Sequence, residues 1–294
     1  MTIEFTGQVA IVTGAARGLG RSYARALAER GAHVAIADLG PDAEETAAEI
    51  RAGGGVARGF EVDVSDFAQV ERMVAEIIAQ WGRVDIAINN AGILRDRTFF
   101  KMDLADFRAV LDVHLMGSVH VCKAVWQPMR EQQYGRILLT SSSSGMYGIF
   151  GQANYGAAKA AMLGLMNALH LEGERHGIRV NAITPSAATR MTEGLLQPEA
   201  ERLLVPDAVA PAALFLVSRD APSKVVMAAG AGTFARIYVT ETEGVSLLPG
   251  MQTPEAVAEH FEAISERATA REVASGLEQA DKLAASAMRR LRSA

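Results

Sequence analysis

The sequence predicts an α/β fold: a doubly wound parallel sheet with a C-terminal helical extension. Short apolar runs, each bounded by glycine or polar residues, alternate with longer helical patterns through the first two-thirds of the chain. Such alternation argues for parallel strands covered by helices on both faces. The runs are continuous rather than alternating, as expected of strands buried on both sides. After about Gly230 this rhythm changes.

Strands are predicted at Val9–Gly14, His33–Asp38, Val84–Asn90, Gly135–Ser141 and Ile178–Thr184. Helical patterns fill the gaps at Leu19–Arg30, Ala43–Ala52, Phe67–Trp81, Asp103–Glu131 and Ala153–His176. The glycines at Gly53–Gly55 stop a helix. In the tail, a helix opens at Thr253, with Pro254 at its first position and Glu255 in its first turn. A second is expected from Arg271 to the end. Val273, Leu277, Ala280, Ala284, Met288 and Leu291 form its apolar stripe, and basic residues in its last turns suit the helix dipole. The organisation expected is a dinucleotide-binding and catalytic domain over 1–240 and a helical extension over 241–294.

Composition narrows the function. Of 294 residues 49% are apolar and the net charge is −5 with no long basic block, which points away from nucleic acid and anionic membranes. No stretch of about 18 uninterrupted apolar residues suggests a membrane span, and the N-terminus lacks the basic start of a signal peptide. Cys122 is the single cysteine, so no internal disulfide and no metal site is expected. A reducing, cytoplasmic setting is the default. The ending "RRLRSA" is not a Ser-Lys-Leu address.

"VAIVTGAARGLGRSYARAL" reads as strand, turn and helix. Gly14, Gly18 and Gly20 allow a tight turn and close approach of a pyrophosphate to the amides of Arg17, Leu19 and their neighbours, in a Rossmann-type arrangement. Asp38 ends the second strand 18 residues after Gly20. A carboxylate there accepts the ribose hydroxyls of NAD and repels the 2′-phosphate of NADP, by roughly 1–4 kcal/mol at contact. Arg17 argues the other way, since it suits a 2′-phosphate; Asp38 carries more weight because it lies at the ribose edge. "EVDVSD" puts Asp63 at the end of the third strand, with Val64 next to it, and Asp63 there either accepts from the adenine amino group or caps the segment from Ser65. Asn90, Ala91 and Gly92 follow the fourth strand and would line the cofactor.

Tyr155 and Lys159 are four residues apart at the start of a helix, hence on one face. A phenol titrates near pH 10; bringing it to about 7 takes about 4 kcal/mol of preference for the phenolate. A lysine ammonium and a positive nicotinamide supply that sign, which makes Tyr155 a general acid/base for a secondary alcohol or ketone. Tyr147 has no such partner.

Thr-Gly-x-x-x-Gly-x-Gly, Asn-Asn-Ala-Gly and Tyr-x-x-x-Lys, in this order over residues 7–190, resemble the short-chain dehydrogenase/reductase family. The resemblance implies that the catalytic serine lies 13 residues before the tyrosine, which selects Ser142. Ser141, Ser143 and Ser144 would then pack, or cap the strand end. His114 stands where most of the family has asparagine, either in a proton relay or as a core residue. Pro185 and Ser186 stand where the family has Pro-Gly beside the nicotinamide, with Thr189 or Thr192 left to bond its carboxamide. "NNAGILRDRTF", "YGRILLTSSSSGMYGIFGQANYGAAK", "TRMT" and "TPEAVAEHF" are further similar to the (3R)-hydroxyacyl-CoA dehydrogenase branch found in peroxisomal multifunctional enzymes.

That branch implies NAD-dependent interconversion of (3R)-3-hydroxyacyl-CoA and 3-oxoacyl-CoA. A hydroxysteroid or other bulky alcohol is the rival substrate, and an NAD-binding sensor the rival class. Residues 187–204 would form a lid with Met191, Leu195 and Leu196 inward. Arg95, Arg97 or Arg190 would meet the anionic end of the CoA thioester. The partners expected are this small molecule and a second copy of the chain, in a homodimer.

Overall fold

The protein was studied as a computed structural model that describes residues 2–188 and 202–292. The chain divides into two compact units, Met1–Arg236 and Ile237–Ala294.

The first unit is an eight-stranded, mostly parallel sheet flanked by helices. Its strands are β1 (Val9–Thr13), β2 (His33–Asp38), β3 (Val56–Glu61), β4 (Ile86–Asn89), β5 (Gly135–Thr140), β6 (Ile178–Pro185), β7 (Val226–Gly230) and β8 (Thr233–Ile237). They lie in the order β3-β2-β1-β4-β5-β6-β7-β8. All registered pairs from β3 to β7 are parallel, for example Ile11 opposite both Ala35 and Ala87. The order reverses between β1 and β4, and ligands bind such sheets in the crevice at the strand ends there. Ile11, Ile36, Ile86, Ile88, Ile137 and Leu138 are fully buried, which explains the unbroken apolar runs.

The helices are α1 (Gly18–Ala28), α2 (Asp42–Ala52), α3 (Phe67–Trp81), α4 (Leu104–Leu111), α5 (Gly117–Gln132), α6 (Ser143–Tyr147), α7 (Ala153–Gly173) and α8 (Ala210–Val217). Helix α3 shows how the sequence sets its own ends. The Asp66 side chain accepts from the amides of Ala68 and Gln69 and starts the helix, and Gly82, at φ 78°, stops it. Between them Val70, Met73, Val74 and Ile77 recur on one face and are buried. Each such burial contributes roughly 1.5–3 kcal/mol.

Several features differ from the sequence expectation. The single helix expected over Asp103–Glu131 is two, joined by a π-helical turn at Asp112–Met116. Such turns occur mostly as single bulges inside α-helices, frequently at functional sites. Strands β7 and β8 were not anticipated: "VMAAG" is short and small, and β8 is an exposed edge. Ala231 and Gly232, with φ 51° and 71°, form the two-residue turn between them.

In the second unit, Thr240–Glu241 pairs antiparallel with Arg271–Glu272, and helices cover Pro254–Glu259, Phe261–Ile264 and Gly276–Arg292. The last helix begins after Val273. The stripe expected to pack is exposed at Leu277 (80%), Met288 (51%) and Leu291 (55%). The covered face instead carries Lys282, whose Nζ reaches Glu241 at 2.5 Å and donates to the Thr242 carbonyl at 2.7 Å. No helix of the described residues is long and apolar enough to cross a membrane.

Candidate active site

The site is assembled at the carboxyl ends of β1, β4 and β5. Gly14 and Gly18 adopt φ values of 62° and 56°, the left-handed region that side chains disfavour. A Cβ on Gly14 would lie 2.7 Å from Ala91 Cα, and one on Gly20 would lie 2.3 Å from the Gly14 carbonyl oxygen. The turn therefore closes only with glycine.

It delivers the chain into α1, whose preceding residue Arg17 is extended and provides no side-chain cap. No acidic residue stands in the first turn. The amides of Gly18, Leu19 and Gly20 thus meet the positive end of the helix dipole uncapped, which suits a diphosphate. Arg17 is exposed.

Asp38 is fixed beside this turn: Oδ2 accepts from the Ala16 amide at 2.9 Å and Oδ1 from the Leu39 amide at 2.8 Å. Asn90 faces the turn from the other side. Its Nδ2 donates to the carbonyls of Thr13 and Gly14, both at 3.0 Å, while the Asn90 and Ala91 amides donate to Thr13 Oγ1 at 3.0 and 3.1 Å. Asp63 lies two residues beyond β3, which stops at Glu61, and not at the strand's end as the sequence predicts. Its Oδ1 accepts from the Ser65 amide and hydroxyl at 2.9 and 2.7 Å, and the cap of α3 is Asp66. Val64 is buried against Gly117, where a Cβ would come within 2.7 Å of it.

Ser142 is the N-cap of α6, and its Oγ accepts from the Ser144 amide at 3.1 Å. Capping thus falls to Ser142 itself, while Ser141 donates from Oγ to the Lys159 carbonyl at 2.7 Å and Ser144 is buried. Tyr155 is the third residue of α7 and half-buried, and it hydrogen-bonds with Ser142. Lys159, one turn later, is buried. Its Nζ donates to the Thr140 carbonyl at 2.7 Å and stands 5.6 Å from the Tyr155 ring centre. Helices α6 and α7 approach this closely because a Cβ on Gly145 would lie 2.7 Å from Lys159 backbone carbon. Tyr147 is 75% exposed.

His114 sits on the π turn, 3% exposed, with its ring edge-on to that of Tyr155. Its Nε2 lies 2.8 Å from the Ile93 carbonyl oxygen, and a Cβ on Gly92 would meet its Cε1 at 2.2 Å. Burial and the nearby Lys159 push its pKa down to about 3. The ring is neutral at physiological pH.

Burial likewise brings Lys159 down to about 7. The phenol of Tyr155 is raised by burial, drawn back by the Ser142 hydrogen bond, and raised further by Asp96. The lowering expected from Lys159 is not a property of the chain by itself, because the ammonium is committed to Thr140 and lies over the ring.

Pro185 ends β6 opposite Ala229, and the exposed Ser186 donates its amide to the Ala229 carbonyl at 2.8 Å. The residues Thr189, Arg190, Met191, Thr192, Leu195 and Leu196 lie outside the described residues. The Ala188 amide donates to the Leu204 carbonyl at 2.5 Å. Arg95 Nε lies 3.6 Å from Asp106, and the Arg97 amide donates to Gly151.

The site also includes Thr13, the first residue of the Thr-Gly-x-x-x-Gly-x-Gly motif, and Thr140 and Asn154, to which the sequence assigns no role. Thr13 precedes the glycine turn and Asn154 precedes the tyrosine, so adjacency to a motif was the available signal.

The family described as short chain dehydrogenase matches residues 8–200. The chain belongs to the short-chain dehydrogenase family. It is 42% identical to mouse peroxisomal multifunctional enzyme type 2 over 278 residues, 89% of this chain and 37% of that protein. A short-chain type dehydrogenase/reductase of Mycobacterium tuberculosis is 42% identical over 250 residues, 81% of this chain and 87% of that one. The full-length peroxisomal multifunctional enzyme type 2 of Drosophila melanogaster superposes with a TM-score of 0.85 at 33% identity, covering 98% of this chain and 50% of that one. This chain thus spans half or less of the two multifunctional enzymes.

As a short-chain dehydrogenase, the protein is an oxidoreductase acting on CH–OH groups. The family and fold imply a nicotinamide dinucleotide. The uncapped turn and the glycines that a Cβ would block fit one.

Proposed function

We propose that this short-chain dehydrogenase oxidises (3R)-3-hydroxyacyl-CoA thioesters to 3-oxoacyl-CoA with NAD. The observation that carries the substrate is the likeness to the mouse multifunctional enzyme, which runs through 89% of the chain rather than through the common motifs alone.

Ser142 orients the alcohol oxygen, and the proton of that hydroxyl passes to Tyr155 Oη. A nicotinamide held by the glycine turn, Asp38 and Lys159 would supply the acceptor for the hydride of the carbinol carbon. Lys159, anchored on Thr140, holds the ribose and favours the phenolate once protonated. His114 packs against Tyr155 as a neutral ring and relays no proton in this scheme. Gly14, Gly18 and Gly20 admit the diphosphate, and Asp38 selects NAD by repelling a 2′-phosphate. The enzyme acts as a homodimer. The exposed face of α7 supports this, since Ala153, Ala157, Ala160, Gly164 and Ala168 let a second helix approach closely.

The test is turnover of (3R)- and (3S)-3-hydroxyacyl-CoA and a 17β-hydroxysteroid, each with NAD and NADP. The (3R) thioester should give the highest kcat/KM, and NAD should exceed NADP by about tenfold or more. A steroid that exceeds both thioesters replaces the substrate reading. Equal use of both cofactors would make Arg17 the governing residue. No turnover on any of these alcohols would favour a sensor.

A further inference from the structure

The chain from Ala91 to Arg97 is held at every second residue. The Ala91 amide donates to Thr13 Oγ1 at 3.1 Å, and the Ile93 carbonyl lies 2.8 Å from His114 Nε2. The Arg95 carbonyl accepts from Asn154 Nδ2 at 2.9 Å, and the Arg97 amide donates to the Gly151 carbonyl at 2.9 Å. A two-residue repeat is that of an extended chain presenting alternate groups to one side. One extended segment therefore links the glycine turn, His114 and the start of α7.

Asn154 joins that segment to the tyrosine. It is fully buried, and its Oδ1 accepts the backbone amide of Tyr155 at 2.8 Å. The residue at the N-cap position of α7, Gln152, makes no side-chain cap; its amide reaches Asp96 Oδ2 at 2.7 Å instead. One of the unsatisfied donors of the first helical turn is thus met by Asn154, whose other end is tied to Arg95.

We propose that Asn154 is a positioning residue. It fixes the Tyr155 backbone against the Arg95 carbonyl, so that the phenol is held in register with the turn that binds the dinucleotide. This rests on the reading of Tyr155 as the proton-transfer residue. A backbone tilt is magnified along a tyrosine side chain, and a misplacement of about 1 Å can cost about 100-fold in rate.

The enzyme is compared with Asn154→Ala, Asn154→Asp and Tyr155→Phe. Asn154→Ala should lower kcat by about tenfold or more, with KM and the dinucleotide Kd changed by less than about threefold. Asn154→Asp has the same shape and carries the test if the alanine variant fails to fold. A neutral carboxyl at this position restores both hydrogen bonds. An ionised one sets a negative charge against the Arg95 carbonyl, and burial makes it titrate above its ordinary range.

The ratio of Asn154→Asp to wild-type kcat should therefore fall as pH rises, which a general loss of stability would not produce. A pH-independent ratio, or an alanine variant with wild-type kcat, overturns the proposal. If Tyr155→Phe is inactive while Asn154→Ala is normal, only the positioning role falls. If Tyr155→Phe keeps turnover, the reading of Tyr155 falls and takes this proposal with it.

Discussion

The imidazole of His114 stands edge-on to the phenol of Tyr155, with ring centres 5.2 Å apart and planes at 85°. Its Nε2 is 2.8 Å from the Ile93 carbonyl oxygen and 3.1 Å from the Ile93 amide nitrogen. One ring nitrogen cannot serve both, and the shorter contact makes it the donor. Nδ1 is then a buried acceptor, without a hydrogen-bond partner among the described residues. The histidine packs between the loop after β4 and the helix that carries Tyr155.

A first prediction follows for acid stability. His114 titrates at about 3 in the folded chain and at about 6.5 unfolded, so the unfolded state takes up the proton first. The stability is present in full above about pH 6.5 and is lost as pH falls toward 3, at up to about 1.4 kcal/mol per unit. His114→Asn lacks this ionisation. Between pH 7 and 5 it should lose about 2 kcal/mol less than wild type in urea unfolding. Equal losses would mean that His114 titrates normally.

Lys159 acts with the same sign at higher pH. Its folded value of about 7 lies below the unfolded 10.5, so the unfolded state holds more protons between them and stability rises with pH. From pH 7 to 9 the wild type should gain about 2 kcal/mol relative to Lys159→Met, read from denaturant midpoints. The buried Cys122 thiol, pushed up to about 12, acts with the reverse sign above about pH 9, but it is common to both proteins and cancels in the comparison. Parallel pH curves for the two proteins would contradict a buried, weakly basic Lys159.

The glycine turn predicts a binding defect. A Cβ on Gly20 would meet the Gly14 carbonyl oxygen at 2.3 Å and Asn90 Nδ2 at 2.7 Å. Gly20→Ala should therefore open the turn and raise the dinucleotide Kd by about tenfold or more in a fluorescence titration. Wild-type affinity would mean that the dinucleotide does not depend on this turn.

The parts legible in the sequence are those whose cause is local. Val9–Thr13, His33–Asp38, Gly135–Thr140 and Ile178–Pro185 carry the apolar runs of doubly buried strands. Asp66 and Gly82 mark both ends of α3. Tyr155 and Lys159 share a helix face through spacing alone. The parts that were not legible depend on distant contacts. Asn154 matters through Arg95, 59 residues away, and Thr140 through Lys159. The π turn leaves the apolar pattern of Asp103–Glu131 intact, and the glycine that follows it, Gly117, does not end the helix. In the last helix the period of the stripe predicts a helix, but not which face is covered; the Lys282–Glu241 pair decides that.

The most direct test compares two tyrosines in the same segment. Tyr155 is half-buried on Ser142, and Tyr147 is 75% exposed. Tyr155→Phe removes only the phenolic oxygen. It should lower kcat by about 1,000-fold or more on (3R)-3-hydroxyacyl-CoA while the dinucleotide Kd stays within about twofold. Tyr147→Phe should keep most of the activity. Retained turnover in Tyr155→Phe with loss in Tyr147→Phe would contradict the assignment of the proton-transfer residue.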